Sequence, residues 1–156
     1  MPQPPLDLLH TFIIRAKAAT YVGGGAQAPS CRTGSHDLCF EEDAFAYLDS
    51  YFGGSDFLGE EVICYQGAPA WAMNYYGRIL EPTLITATQA GQVIQASLSA
   101  MYKLGRFLGG FEHEMGTFKY FDTNTGALTS FTGKEWITRD GVVVYDLVYH
   151  GGLIKD

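Results

Sequence analysis

His36 and Asp37, adjacent in the stretch CRTGSHDL, are the residues of this chain best suited to acid–base chemistry. An imidazole titrates near neutrality, so a positioned histidine can both take and give a proton. Neighbours in a strand point to opposite faces, however, and the two form no working pair by position alone. Cys31 and Cys39 lie on either side of His36 and would act as nucleophiles only where the fold puts a thiol on the imidazole. A hydrolase or isomerase would need His36 and Asp37 together with a carboxylate such as Glu61 or Glu112. Glu112 and Glu114 flank His113, and alternation separates both acids from that ring.

Two further carboxylates recur at matching places, Asp49 with Asp122 and Glu61 with Glu135. Such pairs could hold a metal or share a proton, which would raise one pKa. Asp49 and Asp122 also stand ahead of glycines, where a carboxylate commonly bonds turn amides, and this favours a structural role. For ligand binding the best residues are large rings mixed with a few polar groups: Tyr51, Phe52, Trp71, Asn74, Tyr76, Arg78 and His150. No CxxC spacing, metal-ligand set or cofactor motif occurs. The run Gly23-Gly24-Gly25 follows a helical pattern instead of preceding one, as a phosphate loop would require.

The elements that must position these residues follow from periodicity. Leu6, Leu9, Phe12, Ile13 and Ala16 fall at helical spacing and predict a helix near 6–20. A second helix is expected after Glu81-Pro82, with Leu84, Ala87, Ala90, Ile94, Leu98 and Met101 as its apolar stripe and Gly105 as its cap. Period-two patterns predict strands near 38–42, 45–52, 60–66 and 69–77, then near 110–115, 118–123, 128–138 and 142–150. Gln66-Gly67 and Asp140-Gly141 are hairpin signals, so the pairing is antiparallel.

These two sets of elements align with each other. Phe45/Phe118, Tyr47/Tyr120, Asp49/Asp122, Phe57/Phe131, Glu61/Glu135 and Tyr75/Tyr149 are among the identities. The expected fold is therefore α+β, a tandem duplication of one helix plus about four antiparallel strands. Its helices would pack on a curved antiparallel sheet, with halves 6–80 and 84–154 in one domain. A cleft is expected where the halves meet, and matched residues are expected to serve the fold. The first half carries an extra stretch, AQAPSCRTGSHDL, of the kind on which function is added.

Composition narrows the function classes. The chain has 156 residues, 47% apolar and 14% aromatic, enough for a substantial core. A net charge of −7 opposes direct nucleic-acid binding. No stretch approaches the ~20 apolar residues of a membrane span, and the N-terminal segment reads as an amphipathic helix, not a leader. Three cysteines without a framework fit reduced thiols in the cytoplasm.

The motifs CRTGSHDL, DSYFGGSDFLGEEV, WAMNYYGRIL, GRFLGGFEHEMG, SFTGKEWI and YHGGLIK, within residues 6–155, resemble an uncharacterised bacterial domain family of unknown function. Its members stand alone or follow an XRE-type helix-turn-helix domain. The resemblance brings no activity, cofactor or site residue with it. It implies a sensing or interaction module. The leading expectation is thus a small-molecule-binding module with an aromatic-lined cleft, by analogy with bacterial sensors of cationic aromatic compounds. The alternatives are a protein-interaction or homodimerisation module using exposed sheet edges, and the enzyme described above.

Overall fold

The computed structural model describes residues 2–25 and 27–155, so Ala26 of the extra stretch lies outside the described residues. The chain runs α1 (Leu6–Ala19), β1 (Gln27–Ala28), β2 (His36–Glu42), β3 (Phe45–Gly53), β4 (Phe57–Tyr65) and β5 (Ala68–Ile79). It continues through α2 (Ala87–Lys103), β6 (Phe111–Met115), β7 (Phe118–Ala127), β8 (Ser130–Arg139) and β9 (Val142–Leu153). Gln66-Gly67 joins β4 to β5 and Asp140-Gly141 joins β8 to β9. All four turn residues have positive φ, as the two-residue hairpin turn demands.

The second helix starts later than the sequence pattern suggested. Pro82 does not open it; Thr86 does, accepting a hydrogen bond from the Gln89 amide while the Gln89 side chain accepts from the Thr86 amide. That reciprocal cap satisfies two amides that would otherwise be orphaned, which makes Thr86 a stronger start signal than a proline.

The expected tandem duplication is not what the chain builds. Its strands form one antiparallel nine-stranded sheet in the order β1-β2-β3-β4-β5-β9-β8-β7-β6. Five strands follow α1 and four follow α2, so the two parts are not equal units. β5 and β9 pair edge to edge from Trp71 opposite Leu153 to Ile79 opposite Tyr145. An unpaired edge leaves a row of amides and carbonyls without partners, and this long ladder satisfies both edges at once. Because the junction is continuous, no cleft separates two halves. The open space lies between one face of the sheet and the helices.

Alternation along each strand sorts the side chains onto two faces. The helix-facing side carries Tyr47, Ile63, Trp71, Tyr120, Ile137 and Tyr145, all buried. Leu9, Phe12, Ile13 and Ala16 of α1 and Ala90, Val93, Ile94 and Met101 of α2 cover it. Fully burying one such side chain contributes roughly 1.5–3 kcal/mol, so this layer is the main source of stability. The opposite face has no helix over it, and Leu58, Tyr76 and Val148 stand exposed there.

Candidate functional site

Between the helices and the sheet lies a chamber of about 260 Å³. Its walls are mostly rings and aliphatic side chains, yet four carboxylates, Asp49, Glu61, Asp122 and Glu135, also reach it. Each of the four is no more than 6% exposed. They enter from adjacent strands in directly opposed pairs, Asp49 facing Glu61 across β3 and β4, and Asp122 facing Glu135 across β7 and β8. Like charges directly opposite on a sheet repel, and burial removes the water that would screen them.

Tyrosine hydroxyls meet most of this demand. Tyr75 donates to Asp49 Oδ1 at 2.6 Å and Tyr149 to Asp122 Oδ1 at 2.9 Å. Glu135 accepts from Tyr120 at 2.5 Å and from Tyr145 at 3.0 Å. Burial pushes all four phenols above their usual range, so they remain protonated donors. Glu61 is served by Lys17, whose ammonium donates to Oε1 at 2.7 Å and stands 2.6 Å from Oε2. Oε2 itself accepts no hydrogen bond of proper direction. Among the described residues, Lys17 is the only basic side chain lining the chamber.

One ammonium does not neutralise four acids. Burial, aided by the opposed Glu61, pushes the Asp49 carboxyl up to about 7. Burial likewise pushes Asp122 up to about 6 and Glu135 up to about 7, with the tyrosine hydrogen bonds offsetting only part of the effect. The field of Lys17 lowers all three. The chamber therefore changes charge near neutral pH, which an ordinary surface acid does not do.

Two glycines make the tyrosine geometry possible. Gly59 lies opposite Tyr75, and Gly133 opposite Tyr149. A Cβ on Gly59 would meet the Tyr75 hydroxyl, and one on Gly133 would meet the Tyr149 ring. Without side chains at these points, each phenol lies across the intervening strand and reaches the acid on the strand beyond. Gly133→Ala should therefore lift Tyr149 off Asp122 and cost about 1–3 kcal/mol. Urea denaturation measures this, and a loss within ~0.5 kcal/mol, the range of a neutral surface change, would show that the ring tolerates the methyl group.

The residues singled out from the sequence are dispersed. Tyr51 lines the chamber, with the His36 ring 5.1 Å from its own. Trp71 is core, its Nε1 donating to the Leu128 carbonyl at 3.1 Å. Phe52 lies under the Arg32 guanidinium, 4.8 Å from its carbon. Asn74 and His150 oppose each other at a shallow recess on the outer face. Tyr76 is exposed on the same face, and Arg78 pairs with Asp146 at 3.0 Å.

The acid–base candidates do not converge either. Asp37 accepts from Ser50 at 2.8 Å and from the Cys31 amide at 2.8 Å, a clamp for the extra stretch. Opposed to Ser50, it faces away from the chamber-lining Asp49 and Tyr51 of the same strand. Glu61 is in the chamber, and Glu112 is an exposed partner of Lys119 at 3.2 Å. Asp49 and Asp122 bond tyrosines, not turn amides. The burial of Asp49, Glu61 and Glu135 had a sequence signal: in Tyr47-Asp49-Tyr51, Gly59-Glu61-Ile63 and Gly133-Glu135-Ile137 each acid sits on the same strand face as residues typical of a core. Among the described residues no group of three or more His, Cys, Asp or Glu side chains could hold a metal ion, and no helix is long and apolar enough to cross a membrane.

Fold and chamber together define a class: a one-sheet domain whose helices roof an acidic, aromatic cavity. The chain belongs to the domain of unknown function family DUF5680, whose model matches residues 49–154. The match contains all four chamber carboxylates, while α1 with Lys17 precedes it. No curated protein and no solved structure matches the chain.

Proposed function

We propose that this domain binds a small organic cation, best an amine carrying an aromatic ring, in the chamber beneath the helices. The observation that carries this reading is the imbalance of four buried carboxylates against one ammonium inside a wall of rings. A desolvated cation gains from aromatic faces as well as from carboxylates, so such a chamber favours it over a neutral molecule of equal shape. The chamber volume of about 260 Å³ suits a compact ligand. The cysteines are free, as suits the reducing cytoplasm.

The test compares 2-phenylethylammonium with neutral 2-phenylethanol by calorimetry near pH 8, above the range in which Asp49, Asp122 and Glu135 titrate. The cation should bind at least about tenfold tighter, and Glu135→Gln should lose about tenfold in affinity, a change of ~1.4 kcal/mol. Equal affinity for amine and alcohol would refute the charge argument.

A further inference from the structure

Lys17 already occupies the chamber in the manner of a bound amine. Its ammonium sits on a buried carboxylate, 2.7 Å from Glu61 Oε1, and 5.9 Å from the centre of the Phe107 ring. An ammonium has three protons to donate, and Lys17 makes no other hydrogen bond among the described residues. Glu61 Oε2 stands 2.6 Å from the same nitrogen, so one carboxylate holds the ammonium through both oxygens, as it would hold a ligand's ammonium.

The position of Lys17 in the chain adds a second argument. It belongs to the last turn of α1, which ends at Ala19 and runs through Thr20 and Tyr21 into Gly23-Gly24-Gly25, with Gly24 at φ 64°. Tyr21 also lines the chamber, and its carbonyl accepts from Gln95 of α2. The end of α1 is thus held from below by the Lys17 ammonium and from the side by α2. Leu9, Phe12 and Ile13 anchor the rest of the helix independently.

We propose that Lys17 holds the place of a ligand's primary ammonium, and that binding of such an amine displaces Lys17 together with the last turn of α1. This rests on the cation-binding reading above. The exchange conserves charge: one ammonium enters as another leaves, and Asp49, Glu61, Asp122 and Glu135 keep a counter-ion throughout. A second ammonium bound at Glu61 beside a retained Lys17 would instead stand against a like charge on the same carboxylate. Leaving the chamber, Lys17 regains water while the Ala16–Tyr21 segment loses its tie to the sheet. Occupancy is thereby reported at the surface of the domain through α1.

Amide hydrogen exchange of the full chain with and without 2-phenylethylammonium, near pH 8, reads this directly. Amides of residues 16–21 should exchange about tenfold faster in the bound protein, because that turn opens locally. Lys17→Met, which keeps the stem and removes the charge, should bind the amine at least about tenfold tighter than the wild type. Binding to that variant alone overturns the displacement, since Lys17 then blocks the site instead of giving way, and leaves the cation-binding reading intact. Unchanged or slower exchange at 16–21 with the amine bound overturns it and leaves the cation-binding reading intact, as does equal or weaker affinity in the folded variant. Binding to neither protein overturns both readings. Should the variant fail to fold, exchange in the wild type decides.

Discussion

The melting temperature of the ligand-free protein falls as pH rises from about 5 to about 8, opposite to the behaviour of a domain held by ordinary salt bridges. In the unfolded chain Asp and Glu titrate near 4, whereas in the fold Asp49 and Glu135 titrate near 7 and Asp122 near 6. A raised carboxyl pKa means that the folded state holds more protons, so its contribution is complete below about 4 and is lost as pH passes through 6 and 7. A shift of two to three units at one buried carboxyl corresponds to roughly 3–4 kcal/mol. These acids interact, so together they are expected to give several kcal/mol and not the full sum. At about 2–4 °C per kcal/mol for a chain of this size, the fall should be near 10 °C. Asp37 does not cancel it. Burial alone would push that carboxyl up, but hydrogen bonds from Cys31, Ser35 and Ser50 hold it low, so its contribution is present above about 4 and vanishes only in more acid solution. Thermal melts across the window measure the effect, and an added organic amine should flatten the curve, because it binds the ionised chamber. A flat or rising profile without ligand would mean that water reaches these acids.

Replacing Lys17 with Met costs about 3–5 kcal/mol at pH 8, the usual penalty for removing one partner of a buried ion pair. The methionine stem fills nearly the same space, so the loss is electrostatic and not a cavity effect. It should therefore be recovered in large part by a second change, Lys17→Met with Glu61→Gln, which removes the stranded charge at constant shape. Urea denaturation of the two single variants and the double variant completes the cycle. A loss below about 1 kcal/mol in Lys17→Met, the size expected of an exposed pair, would show that the ammonium is not desolvated.

Much of the local structure was legible in the chain. The apolar stripe of Leu9, Phe12, Ile13 and Ala16 belongs to a helix because a 3.6-residue period cannot bury one face of a strand. Gln66-Gly67 and Asp140-Gly141 turn where their left-handed backbones allow, and the strands on either side follow. The chamber was less legible. From sequence, the pairs Asp49/Asp122 and Glu61/Glu135 stand out as possible metal or proton sites but a structural role is favoured for the two aspartates, while the unmatched residues Asn74, Tyr76, Arg78 and His150 lie on the outer face. The alternation around each acid places it on a core-like face, but whether that face is roofed depends on helices far away in sequence.

Side-chain period and turn chemistry are local properties, so the chain alone determined its helices, most of its strands and their antiparallel hairpins. Only the tertiary structure decided that β5 meets β9 to make one sheet, because ladder hydrogen bonds join backbone groups that are alike in every residue. It also decided that four carboxylates share one space with a single lysine, since burial is set by what α1 and α2 cover once they have packed, not by the residues beside each acid.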